Sequence, residues 1–189
     1  NLVVAPTQAM LEALRTHYGP LPAAQVIYNG RDPHFFTPAR KEPFVLAVGR
    51  LWDEAKNVAA LDAAAAAVAW PVYVAGADHH PDGGQRQFAH VQALGRLAPA
   101  QLATWFARAA IYALPARYEP FGLSVLEAAL AGCALVLGDI PSLREVWGDA
   151  ALYVAPDDPA ALGQAINCLG ADQRLRQRLA AAATARAQQ

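Results

Sequence analysis

Short runs rich in β-branched residues alternate along this chain with longer segments of helical pattern. Eight runs read as strands: residues 2–5, 25–28, 44–48, 72–75, 90–93, 111–114, 134–137 and 151–154. They are apolar on both sides and bounded by Gly, Pro or Asp, as strands covered on both faces of a parallel sheet are. Helices are predicted between them. Residues 7–18 follow Pro6 with Thr7 as cap, and residues 57–69 open on Asn57. Residues 99–109 begin with Pro99, and residues 122–131 end at Gly132. Residues 141–147 follow Asp139, residues 159–169 follow Asp157 and Asp158, and Asp172 caps a last helix. Ser, Thr, Asp and Asn at the cap and Pro in the first turn are the signals used. Strand–helix alternation of this kind predicts an α/β fold, a doubly wound parallel sheet of Rossmann-like type.

Such sheets bind ligands in the crevice at the carboxyl ends of their strands. The loops that follow strands therefore hold the candidate chemistry: residues 29–40, 49–56, 76–87, 115–122 and 138–141. In "VGRLWDEAKNV", Arg50 and Lys56 follow Gly49 within one loop. A forked guanidinium and a mobile ammonium suit a phosphorylated ligand. The plainer alternative is that they pair with Asp53 and Glu54. In "PARYEPFGLSVLE", Pro115 and Pro120 stiffen a loop that enters a helix at Gly122, and helix N-terminal amides are a ready anion site. Glu127 is the one charge between Phe121 and Gly138. A buried carboxylate is costly unless something pairs with it. Ser124 and Glu127 have capping-box spacing, which would satisfy Glu127 without a ligand but leaves Glu119 unexplained. In "IYNGRDPHFFTP", Asn29-Gly30 signals a turn.

Composition narrows the classes. With 189 residues and 55% hydrophobic content, the chain can bury a real core and is not disordered. A formal net charge of −1 argues against a nucleic-acid partner, and Arg174, Arg176 and Arg178 read as a solvated helix face. No apolar run approaches the ~20 residues of a membrane span. Cys133 and Cys168 both lie in apolar context and are expected to be buried thiols, neither a disulfide framework nor a metal site. A reducing, cytoplasmic setting fits, and no signal peptide is read. His79 and His80 are adjacent, but two neighbouring imidazoles need not face the same way, and no metal site is expected. The chain does not begin with Met, so a piece of a longer protein is expected.

Four blocks stand in order: "VIYNGRDPHFF", "VGRLWDEAKN", "EPFGLSVLEA" and "LAGCALVLGDIPSLREVWGDAALYVAPDDPAALGQAI". Together they resemble the C-terminal, donor-binding half of GT-B glycosyltransferases of family 4, the group 1 glycosyltransferases. The resemblance covers essentially the whole chain. It implies that Glu127 binds ribose hydroxyls of a nucleotide and that Glu119 binds hydroxyls of the donor sugar. Backbone around Phe121, Gly122 and Leu123 would hold the diphosphate, which Arg50 and Lys56 neutralise. Gly49 lets the backbone approach, and the base rests near Leu97 and the loop after Ala75. Many relatives place the Lys five positions after the Arg, whereas Lys56 is six after Arg50.

The resemblance further implies a retaining transferase using a UDP- or GDP-linked hexose-type sugar, with no other cofactor. Its acceptor, a sugar, glycan or lipid-linked group, would be bound by an N-terminal half this chain lacks. Peripheral membrane association of the parent stays open. Residues 1–22 are expected to be a remnant of that half and residues 23–189 the nucleotide-sugar domain. On that division residues 2–5 should lie outside the main sheet or pair with a second molecule, and residues 1–22 should pack poorly or irregularly. A related GT-B epimerase and a non-catalytic nucleotide-sugar-binding module are the alternatives.

Overall fold

The computed structural model describes residues 2–77 and 87–189. The histidine pair and most of the polar stretch around it lie outside those residues. Eight strands and seven α-helices are found among the described residues: β1 (Val3–Ala5), α1 (Gln8–Tyr18), β2 (Ala24–Val26), β3 (Glu42–Val48), α2 (Val58–Ala65), β4 (Val72–Ala75), β5 (Gln92–Gly95), α3 (Pro99–Arg108), β6 (Ala109–Leu114), α4 (Leu123–Leu130), β7 (Ala134–Gly138), α5 (Pro141–Trp147), β8 (Ala151–Val154), α6 (Pro159–Ala171) and α7 (Gln173–Ala187). Six strands form one parallel sheet in the order β5-β4-β3-β6-β7-β8. The chain leaves β3 in one direction, returns to β6 and continues in the other. The switch point therefore lies between β3 and β6, where such sheets open a crevice.

Strand periodicity builds two cores. Phe44 and Leu46, Tyr112 and Leu114, and Leu135 and Leu137 face the layer of α3, α4 and α5. Val45 and Ala47, Ile111 and Ala113, and Ala134 and Val136 face α2 and α6. These strands are apolar throughout because both faces are covered. α7 joins the layers, with Leu179 in one core and Ala183 in the other.

β1 pairs in parallel with β2 as a separate two-stranded sheet, so residues 2–5 do lie outside the main sheet. Irregular packing of the first 22 residues is not found. Glu145 of α5 accepts the Gln8 and Ala9 amides at 2.6 and 2.8 Å, and the Tyr28 hydroxyl at 2.9 Å. The first turn of a helix needs such acceptors, and a carboxylate there also meets the favourable end of the helix dipole. Buried Thr7 caps α1 through the Met10 amide and donates to the Pro120 carbonyl at 2.9 Å.

Two further expectations need correction. Cys133 is buried, and burial above all pushes its thiol up to about 11, with Lys41 opposing the rise. Cys168 is exposed, because α6 turns Leu162, Ile166 and Leu169 inward and leaves Cys168 on the other side. Asn57 does not cap α2 with its side chain. It takes a left-handed conformation, and α2 stops at Ala65 rather than Ala69.

Asp62 of α2 accepts the His90 and Val91 amides at 2.8 and 2.9 Å and the Ala89 amide at 3.1 Å, just before β5. Burial acts to raise its pKa, but the three backbone donors outweigh that and hold it below the ordinary value. The stabilisation is thus complete above the unfolded-state pKa near ~4 and is lost as pH falls through the lower folded-state value. Asp62→Ala is expected to cost about 1–3 kcal/mol at neutral pH. In urea titrations the gap to the parent should close on acidification; a gap that widens in acid would contradict the assignment.

Candidate functional site

The loops after β3 and β6 flank the switch point and are stitched together. Asp53 Oδ1 accepts the Ala55 amide at 2.9 Å and caps the short turn over residues 54–56. The Ala55 carbonyl then accepts the Arg117 amide at 2.9 Å. Buried Asn57 donates through Nδ2 to the carbonyls of Pro115, at 2.9 Å, and Pro156, at 2.7 Å. One side chain thus latches three loops at the carboxyl edge of the sheet.

Across this seam Lys56 Nζ donates to Glu119 Oε2. The side chains are only 17% and 12% exposed, which makes this a largely desolvated ion pair drawn from two different loops. Glu119 Oε1 accepts the Gly122 amide at 2.9 Å and the Phe121 amide at 3.3 Å. The Glu119 carbonyl accepts the Ser142 hydroxyl. Glu119 therefore steadies the approach to α4. Gly122 is the N-cap of that helix with φ +89°, and an added Cβ would stand 3.0 Å from Val125 Cγ2. Only glycine takes that conformation at little cost.

The helix starts too early for the capping box. Ser124 is already inside α4, and its Oγ accepts the hydroxyl of buried Tyr112 at 2.7 Å, a group whose pKa burial raises. Glu127 is satisfied instead by Arg31, whose Nε donates to Oε1 at 2.7 Å. The Glu127 side chain is 13% exposed and that of Arg31 41%. Arg31 reaches across from the segment between β2 and β3, whose preceding Tyr28 is held by Glu145.

The structure brings Gly49, Lys56, Glu119, Phe121 and Gly122 together. The Lys56 stem lies against Gly49, where an added Cβ would be 3.4 Å from Lys56 Cγ. The closest backbone approach falls on Gly76 instead. A Cβ there would stand 1.7 Å from the Gly49 carbonyl oxygen. The Phe121 ring is buried, so this residue presents only backbone to the crevice. Leu123 opens α4 beside it, and Glu127 follows one turn on. Arg50 is turned away: its Nη2 bonds Asp53 at 2.6 Å and its guanidinium lies over Trp52. The pairing alternative thus holds for Arg50 with Asp53 but not for Lys56, which crosses to Glu119. Leu97 stands past the end of β5, two strands from β3. Sequence reasoning missed Arg31, the Asn57 latch and Gly76. A cation directly after the Asn-Gly turn was the available signal for the first.

A parallel sheet wound outward from one switch point and covered by helices on both faces defines a Rossmann-like domain. Residues 42–172 match the family model described as "Glycosyl transferases group 1", and the chain belongs to that family. The glycogen synthase of Mycobacterium tuberculosis is 40% identical over 95 residues, covering 49% of this chain and 23% of that protein. The O-antigen chain mannosyltransferase B of Escherichia coli is 38% identical over 72 residues, covering 38% and 19%. The chain thus aligns with about a quarter or less of these curated relatives. Among solved structures, the sucrose-phosphate synthase of Thermosynechococcus elongatus superposes with a TM-score of 0.86 at 24% identity, covering 99% of this chain and 53% of that one. Anabaena HepE in complex with UDP-glucose superposes at 0.86 and 22% identity, covering 98% and 58%. The chain spans little more than half of either solved chain, and at these identities the likeness establishes the fold, a mostly parallel Rossmann-like GT-B half.

Proposed function

We propose that this chain is the donor-binding half of a retaining glycosyltransferase that moves a hexose-type sugar from a nucleoside-diphosphate sugar to an acceptor. The observation that carries the reading is the Lys56–Glu119 pair, held by two stitched loops at the switch point beside the first turn of α4. A nucleotide sugar offers a diphosphate, a ribose and a sugar, and the crevice has a group of fitting chemistry for each. Lys56 neutralises the diphosphate and the Leu123 amide is a further donor, while Arg50 joins only by leaving Asp53 and the Gly122 amide only by leaving Glu119. Glu119 accepts hydroxyls of the donor sugar and Glu127 those of the ribose. Leu97 stands near the base. When the bond from the anomeric carbon to the diphosphate breaks, its electron pair leaves on the diphosphate oxygen. Fixed cations and amides are worth most against charge that appears at that moment. Holding the sugar in place lowers the entropic part of the barrier. These groups supply the positive charge without a metal.

The acceptor and its binding residues belong, in this reading, to a further half of the protein. Residues 1–22 are assigned to that half, and β1 pairs across the boundary with β2 of residues 24–26. Nucleotide sugars of the cytoplasm are the donors, and no helix among the described residues is long and apolar enough to cross a membrane.

The test is a thermal-shift series on the 189-residue chain with UDP, GDP, ADP and their sugars. A ligand that binds the native state must raise the melting temperature as its concentration rises. One nucleoside diphosphate is expected to do so, while the chain alone transfers no sugar. Absence of any shift at millimolar concentrations, or steady transfer by this chain alone, would overturn the reading.

A further inference from the structure

Glu127 raises a question that the donor-site reading leaves open. Its carboxylate is largely buried, yet a vicinal diol is recognised best by an ionised carboxylate, whose two oxygens both accept. An ionised group there needs a partner even when no ligand is bound. Arg31 is that partner, and its geometry is selective. Only Nε is engaged, and only with Oε1. Oε2 has no protein donor among the described residues, so the acceptor a hydroxyl would use is left open. A bidentate fork would have occupied both oxygens. Arg31 comes from the segment between β2 and β3 and lines, with Phe121 and Leu126, a groove of about 560 Å³, so it fixes the carboxylate from outside α4.

We propose that Arg31 is a positioning residue for nucleotide binding. It pairs with Glu127, fixes its rotation by a single charge-assisted bond and leaves Oε2 to the ribose hydroxyls. It also cancels a negative charge that would otherwise repel an incoming diphosphate. This rests on the reading of Glu127 as the ribose-binding acid. Arg31 acts through Glu127 and not by touching the ligand.

The experiment is calorimetric titration of the 189-residue chain with UDP, with GDP and with the 2′-deoxy form of each. The proteins are the parent, Arg31→Ala, Arg31→Lys, Glu127→Gln and the Arg31→Ala/Glu127→Gln double variant, with melting temperatures recorded alongside. Arg31→Ala should weaken binding of the ribonucleotide about tenfold, the loss of one charge-assisted contact's worth of orientation. Arg31→Lys should recover part of that loss. The double variant should bind like Glu127→Gln alone, and the effect should shrink for the deoxynucleotides. A structural role alone would lower the melting temperature but would not discriminate ribose from deoxyribose. An undiminished effect in the Glu127→Gln background would mean direct ligand contact and overturn the proposal. So would unchanged binding by Arg31→Ala where Glu127→Gln binds weakly. If Glu127→Gln itself binds like the parent, the donor-site assignment fails first, and that result is distinct from the other two.

Discussion

On the donor-site proposal, Lys56→Ala is expected to lower kcat of sugar transfer by about two to three orders of magnitude, the range seen when one preorganised charge-stabilising group is removed. Lys56 is held in place by Glu119, is mostly shielded from water, and comes from the loop that follows the first-wound strand at the switch point. A shielded ammonium acts in a lower dielectric than a surface one and stabilises a leaving diphosphate more strongly. The folded state should survive the change. Glu119 keeps its bonds from the Gly122 and Phe121 amides, so the cost is about 1–3 kcal/mol for one carboxylate oxygen left without its cation. Glu119→Gln separates the roles. It should depress turnover while leaving binding of the bare nucleoside diphosphate nearly intact, since the proposed function pairs it with the sugar. Steady-state kinetics at saturating donor, read beside calorimetry of the nucleoside diphosphate, decides the matter. A Lys56→Ala enzyme that keeps more than a tenth of parental kcat would remove Lys56 from the chemistry.

Gly76→Ala is expected to be the most destructive glycine-to-alanine change among the described residues. Gly76 follows β4, its φ is +148°, and its amide donates to the Gly95 carbonyl at 2.9 Å. The Gly49 amide donates to the Ala75 carbonyl at 3.0 Å, so the loops after β3 and β4 run side by side past the strand ends. An added Cβ would overlap the Gly49 carbonyl oxygen at 1.7 Å, and its neighbour there is backbone, not a side chain that could swing aside. Backbone strain and overpacking each cost about 1–3 kcal/mol, so a loss of about 2–6 kcal/mol follows. Because the displaced atom belongs to Gly49, the residual folded protein should also bind nucleotide poorly. Gly30→Ala is the control. Nothing lies within 4 Å of a Cβ there, and its stability should match the parent. Equal urea midpoints for the two variants would rule out the steric account.

The elements were legible in the sequence for definite reasons. Strands such as β6 and β7 are buried on both faces and read as unbroken apolar runs between turn residues. Pro99, Pro141 and Pro159 fix three helix starts, because proline forgoes an amide the first turn does not use. The crevice was legible too, since strand–helix alternation dictates which loops gather. What the sequence could not show is who pairs with whom. Lys56 and Glu119 are 63 positions apart, and Arg31 and Glu127 are 96 apart. Those partners are chosen by sheet order and loop path, not by local pattern. Local pattern even misled at Ser124, where the left-handed Gly122 starts α4 two residues early and turns an apparent cap into an interior helix residue.

Thr7 gives the N-terminal segment a mechanical role. Its one hydroxyl group holds the first turn of α1 and the backbone of Pro120, the residue that follows Glu119. α1 is thereby a lever with its fulcrum at the rim of the crevice. A rotation of this helix about its start must either break the Thr7–Pro120 bond or drag the Glu119 loop with it. While that bond holds, displacement of residues that lie far from the crevice becomes displacement of the carboxylate that faces Lys56.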